Sequence, residues 1–359
     1  MRALELHLLS DRALDGLDTI IRVGTGEDLW LLLRWEQRAR RIHQVRPGRL
    51  MEETAAAWRR WTAGISYDGP RADLVRRSAL TLKLLDHLEN GAIVAAPTSS
   101  LPETLSGARN WDYRYTWIRD AAFSVFALRR IGLTAEADSF LGWVLDAVEG
   151  GGKPRVLYDL DGRQPPPERV DHDLDGYRGS APVRWGNGAA DQVQHDVYGE
   201  ILDCAYQWAA RGGLVDDALW ADLVELTGTA WTVSGQPDQG IWEVRSAGRP
   251  STYSVAMCQV ALDRAARLAT RLHLPGDAAG WAAKAKAVTR RILRDAWDEE
   301  LHSLTEQLGA GGGLDASLLA LSLRRVVAAD HPRMIATTRA VCDRLGAGHA
   351  RPRASWHRE

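Results

Sequence analysis

The sequence predicts a mainly α-helical fold, with paired antiparallel helices around a central axis over residues 71–345 and a few short strands ahead of them. Two observations carry this reading. Apolar residues recur at intervals of three and four, as in Trp117, Ala121, Val125 and Leu128, or Val197, Ile201, Cys204, Ala205 and Trp208. The connections between such segments alternate between short ones, at 131–134 and 274–276, and long ones.

Taken in order, residues 4–9, 19–23 and 28–35 read as three short strands, separated by turn material such as Asp15-Gly16 and Gly24-Thr25-Gly26. A linker is expected at 44–48, with Pro47-Gly48 as its break, and a short helix at 51–61. Helical periodicity then marks segments near 71–89, 117–130, 135–148, 196–211, 216–232, 252–271, 277–296, 314–325 and 332–344. The 149–196 connection is rich in Pro and Gly and too long for mere linkage. Together with the 104–120 and 233–251 loops it is expected at one end of the array, where a site would form. The stretch 346–359 is rich in Arg and His, holds no periodic apolar residues and reads as a disordered tail.

Composition excludes several classes. The net charge of −2, with Arg interleaved among acids, gives no footprint for nucleic acid. Neither a signal core nor a run of 18 apolar residues appears, so a cytoplasmic protein without membrane contact is expected. Three widely spaced cysteines, Cys204, Cys258 and Cys342, argue against a disulfide framework or a zinc site and for buried free thiols. No cofactor is expected, and the oligomeric state is not legible. Fifteen Trp against three Phe favour a carbohydrate reading only slightly, since indoles also fill cores.

Two tempting motifs fail. Asp171-His172-Asp173-Leu174-Asp175-Gly176 opens like a calcium loop, but its twelfth position is Pro182 instead of a bidentate Glu. Gly309-Ala310-Gly311-Gly312-Gly313 follows no strand and lacks the Lys and Ser/Thr of a phosphate loop.

Two others carry chemistry. Residues 109–120 (RNWDYRYTWIRD) place four aromatics and five charged residues directly ahead of an apolar helix. Aromatic faces with Arg and Asp suit a sugar, because Arg donates to two hydroxyls and Asp accepts from two. The plainer alternative is an Asp–Arg network fixing the helix start. In Gly240-Ile241-Trp242-Glu243-Val244-Arg245, a carboxyl beside an indole suits a general acid, since burial favours the neutral form. By itself, such a Glu–Arg pair is usually a surface salt bridge.

Four blocks in order resemble glycoside hydrolase family 15, the glucoamylases, glucodextranases and bacterial trehalases. They are Ala95–Glu103 (AAPTSSLPE) running into 111–120; Gly176-Tyr177-Arg178-Gly179-Ser180 with Pro182-Val183-Arg184; Gln194-His195-Asp196-Val197-Tyr198-Gly199-Glu200; and 240–245, followed by Tyr253 and Ala261-Leu262-Asp263-Arg264. The resemblance implies an (α/α)₆ barrel preceded by a β-sandwich, and inverting, exo-acting release of glucose from an α-linked glucosaccharide or trehalose. It implies Glu243 as the general acid and Arg119 and Asp120 as holders of the non-reducing glucose. Tyr113 and Trp117 lie beside them, and Trp242 and Arg245 flank the acid.

The departures shape the expectation further. Inversion needs a second carboxylate to activate water across the ring. The family carries it after the eleventh helix, and no residue here matches it. Residues 1–46 would be the last strands of the sandwich, 47–69 a linker with a short helix, and 70–345 a partial barrel of 8–9 of the 12 helices. Val255 and Gln259 stand where bacterial relatives tend to have Lys and Trp. Leu323-Arg324-Arg325 replaces an apolar stretch and puts charge on a core helix. Glu200, the most tempting substitute base, reads as a packing or capping residue. The expectation is thus a catalytic domain truncated at both ends and inactive alone. The other readings are a non-catalytic remnant that binds a glucosyl unit, and an unrelated helical barrel such as a lyase or cyclase.

Overall fold

The computed structural model describes residues 6–16, 18–34, 46–148 and 153–346. The chain divides into two compact units, Met1–Ser66 and Tyr67–Glu359.

In the first unit, β1 (His7–Ser10) and β2 (Leu31–Arg34) pair antiparallel, and α1 spans Pro47–Thr62. The strand expected at 19–23 does not form, and Ile20 is 92% exposed. An alternating pattern makes a strand only where one face finds something to bury against. Pro47 begins a helix where a break was expected. Its missing N–H costs nothing in a first turn, where amide hydrogens have no partner inside the helix.

The second unit opens with α2 (Ala72–Leu84), which stops short of the expected residue 89. There the chain folds back, with His87 N donating to Ala92 O and Val94 N to Leu85 O. Lys83 anchors the corner through Asp86 (2.6 Å) and Glu136 (2.9 Å). Three helical hairpins follow: α3 (Ile118–Arg130) with α4 (Ala135–Val148), α5 (Val197–Ala209) with α6 (Asp217–Val233), and α7 (Thr252–Leu272) with α8 (Ala278–Asp295). The spans agree with the apolar period to within a few residues. α3, α5 and α7 pack side by side as an inner row; α4, α6 and α8 lie outside them. α5 and α7 approach so closely that a Cβ on Gly199 would collide with the Met257 carbonyl oxygen. The core runs between the rows, through Ile118, Leu128, Phe140, Ile201, Leu223, Met257, Leu262 and Ile292.

The segment expected as one helix at 314–325 is a 3₁₀ turn, Ala316–Leu319, and a single α-turn, α9 (Ala320–Leu323); α10 (Pro332–Arg344) follows. Short antiparallel pairs tie the long connections together. They join Ser99–Pro102 to Asn110–Asp112, Thr116–Trp117 to Leu157–Tyr158, Arg169–Asp171 to Val183–Trp185, and Trp297–Asp298 to Ser303–Leu304. Among the described residues no helix is long and apolar enough to cross a membrane. Cys204 and Cys258 are buried free thiols, whereas Cys342, expected to be buried, is exposed. The tail from residue 347 lies outside the described residues.

Candidate functional site

Three long connections meet at the N-terminal ends of the inner helices. The Thr116–Trp117 pair with Leu157–Tyr158, and the Ile118 N–H donated to Val156 O, bring the 153–158 segment to the start of α3. Trp117 therefore sits 1% exposed at the helix entrance, and its indole points to residue 243. The 234–251 connection is closed by Asp238 pairing with Arg249 and is stitched to the 192–195 segment. Gln239 N donates to Val193 O at 3.0 Å and His195 N to Asp238 Oδ2 at 2.9 Å.

One oxygen of Glu243 is the convergence point. Trp117 Nε1 donates to Oε1 at 2.6 Å and Arg119 Nη2 at 3.1 Å, while Gln194 Nε2 lies 3.5 Å away. Glu243 Oε2 has no hydrogen-bond partner among the described residues, and the side chain is 22% exposed. Arg119 is itself held by Gln194 Oε1 (2.6 Å) and Asp196 Oδ2 (3.1 Å). Burial works against its charge, but Asp196, Asp120 and Glu243 outweigh it and push the guanidinium's pKa up.

Asp120 lies at the mouth, 3.7 Å from Arg119 Nε, with 43% of its side chain exposed. Protein atoms still crowd its carboxyl and push its pKa up, with Glu243 and Asp196 adding to the rise and Arg119 opposing it. Tyr113 tilts against Trp117 at 5.7 Å between ring centroids. Burial, then the charges of Glu243, Glu103 and Asp120, push its phenol up to about 12, so it stays a neutral hydrogen-bonding group.

Sequence reasoning named Trp117, Arg119, Asp120, Tyr113 and Glu243, and the structure brings these five together. Trp242 and Arg245 engage other groups. The Trp242 indole donates to Asp315 Oδ2 at 2.9 Å and is 41% exposed. Arg245 forms a bidentate pair with Glu168 (2.9 and 2.7 Å) and stacks 4.2 Å over Trp111. Gln192, Gln194 and Asp196 were missed as site residues. The signal was present, since Gln194 and Asp196 belong to a recognised block, but no titratable pattern distinguishes a glutamine.

Two further expectations resolve here. Glu200 is fully buried and takes part in the interior, with Oε2 on Arg324 Nη2 (2.6 Å) and Oε1 accepting from Tyr253 OH (2.9 Å). The first calcium-loop residue, Asp171, spends both oxygens on the protein, accepting from Asp173 N (3.1 Å) and Trp185 Nε1 (3.0 Å).

A model of the glycosyl hydrolases family 15 matches residues 69–350. A trehalase of Mycolicibacterium smegmatis is 40% identical over 90% of this chain and 49% of its own length. A trehalase of Thermoplasma acidophilum is 38% identical over 82% of this chain and 50% of its own length. The chain thus spans about half the length of these curated relatives. Among solved structures, a bacterial glucoamylase complexed with acarbose superposes with a TM-score of 0.63 at 17% identity, covering 84% of this chain and 44% of that one. A glucoamylase from Saccharomycopsis fibuligera gives 0.52 at 13% identity, covering 76% and 61%. Those two likenesses concern the fold, a paired-helix barrel of which α2–α10 are a part. The family match over most of the chain settles its membership: the chain belongs to glycosyl hydrolase family 15.

Proposed function

We propose that this chain carries the sugar-holding and proton-donating half of an α-glucoside hydrolase site, with trehalose as the first substrate to test and other α-linked glucosaccharides behind it. The observation that carries the reading is the crowding of donors on Glu243 Oε1, from Trp117, Arg119 and Gln194, while Oε2 has none among the described residues. A proton on this carboxyl resides on Oε2, because Oε1 already accepts. The partly exposed side chain can present that proton to a glycosidic oxygen.

Arg119 and Asp120 supply paired donors and acceptors for the hydroxyls of one glucosyl unit, and Tyr113 and Trp117 wall the same space. As the glycosidic oxygen takes the proton, the C–O bond breaks through an oxocarbenium-like state and water attacks the opposite face. That attack requires a base. No residue of this chain matches the family's base, so the 359-residue chain binds the sugar and does not hydrolyse it at family-like rates. The trehalase relatives support trehalose over maltose or isomaltose.

Calorimetric titration of the 359-residue protein with trehalose, maltose and isomaltose, alongside an assay for released glucose, tests both halves. The expected result is sugar binding that Asp120→Asn weakens, with glucose release at background. Absence of binding to all three sugars would sink the site assignment. Rapid release that vanishes in Glu243→Gln would show that a base does exist in this chain.

A further inference from the structure

Glu243 stands at φ +56°, in the left-handed region where a residue with a Cβ is strained, three positions after Gly240 at φ +65°. Such a conformation persists only where its surroundings over-determine it. Within the loop, Glu243 N donates to Gly240 O at 3.2 Å and Val244 N to Gln239 O at 3.3 Å. Those bonds hold the N–H side of the turn. Among the described residues, one side chain holds the carbonyl side from outside: Gln192 Nε2 lies 3.1 Å from Glu243 O and 3.4 Å from Val244 O.

Gln192 is in turn oriented. Its Oε1 accepts from Gln194 Nε2 at 3.1 Å, and Gln194 Oε1 accepts from Arg119 Nη1 at 2.6 Å. Val193 between them is tied to Gln239 by its N–H, donated to Gln239 Oε1 at 2.9 Å. A hydrogen-bonded relay therefore runs from the guanidinium that faces the sugar site, through two glutamines, to the peptide that carries the acid. Only a side-chain amide of this length can donate to the two carbonyls and accept from Gln194 at once. A carboxylate at 192 would set oxygen against oxygen.

We propose that Gln192 is a positioning residue for Glu243. By donating to the carbonyls of Glu243 and Val244 it keeps the peptide left-handed, and so keeps the carboxyl on Trp117 and Arg119. Without it the strained residue relaxes toward ordinary φ and the carboxyl swings off the indole. The catalytic meaning of this rests on Glu243 being the proton donor; the geometry does not.

The Trp117 indole N–H, 2.6 Å from Glu243 Oε1, reports the carboxyl's position without any turnover. In ¹⁵N-labelled 359-residue protein, with the resonance assigned through Trp117→Phe, Gln192→Met is expected to abolish the downfield shift of this indole proton and speed its solvent exchange. Thermal midpoint and the other indole resonances should hold. Gln192→Glu, which keeps the length but sets oxygen against the two carbonyls, should lose the shift as Gln192→Met does. A folded Gln192→Met protein with the Trp117 resonance unmoved overturns the proposal. Should that variant not fold, the unsubstituted protein decides. Its Gln192 side-chain amide protons must exchange slowly, and free exchange overturns the proposal equally. A wrong acid assignment shows elsewhere, as glucose release indifferent to Glu243→Gln in a hydrolysis assay.

Discussion

One face of α5 serves two arginine–carboxylate clusters that differ in what they leave unpaired. Asp196, Glu200 and Asp203 follow one another at helical spacing of four and three, so they stand in a row. The first holds Arg119 at the mouth of the inner row. The other two hold Arg324 in its interior, with Nη1 on Asp203 Oδ2 and Nη2 on Glu200 Oε2, each at 2.6 Å. Around Arg324 the inventory is nearly closed. Arg264 Nε takes the other Asp203 oxygen at 2.7 Å, Tyr253 the other Glu200 oxygen, and the guanidinium lies 4.6 Å over Phe123. At the mouth, among the described residues, Glu243 Oε2 and the exposed side of Asp120 remain available, and Asp196 Oδ1 is buried without a partner. Identical chemistry is spent on packing where it is saturated, and is available to a ligand where it is not.

The largest effect expected from this contrast is on the interior cluster. Arg324→Leu leaves two fully buried carboxylates without their shared cation, and should destabilise the protein by about 3–5 kcal/mol in chemical denaturation. A loss below about 1 kcal/mol would mean the interior cluster is no more closed than the mouth.

Next in size is a pH effect at Asp238, which accepts from His195 N beside the mouth cluster. Burial pushes the Asp238 carboxyl up to about 6, against the hydrogen bond it accepts from the His195 backbone, which favours its charge. Its folded form therefore binds a proton more tightly than the unfolded chain does, and the stability this contributes near pH 4 is lost as pH rises through about 6. The amount is about 2–3 kcal/mol for this 2% exposed residue. Denaturation midpoints at pH 4 and pH 7 should consequently fall more steeply in the native protein than in Asp238→Asn; parallel slopes would refute it.

At the open cluster, Asp120→Asn should cost sugar affinity and little else. Losing hydrogen bonds to a charged acceptor predicts weakening by about 10-fold, with a melting midpoint unchanged within error. If instead stability falls and affinity holds, Asp120 belongs with the packed residues. The smallest effect is at the rim. Trp242→Phe removes the hydrogen bond to Asp315, should cost about 0.5–1.5 kcal/mol of stability, and should leave trehalose binding as it was. Lost binding in that titration would show that Trp242 takes part in holding the sugar.

The local rules of the chain determined a great deal here. The 3.6-residue period located α3 to α8 within a few residues, because burying one stripe of a helix against a neighbour imposes that period whatever the neighbour is. The aromatic and charged run at 109–120 and the Glu beside Trp242 stood out in the sequence, because so many polar groups ahead of an apolar helix need partners. What only the tertiary structure decided is who those partners are. Arg324 read as a charge misplaced on a core helix, and is neutralised by two carboxylates more than 120 positions earlier. Trp242 and Arg245 adjoin Glu243 in sequence yet engage Asp315 and Glu168. Gln192, whose type predicts nothing, reaches the Glu243 carbonyl across 51 positions. Periodicity is a property of consecutive residues, whereas saturation of a polar group depends on every chain segment that packs around it.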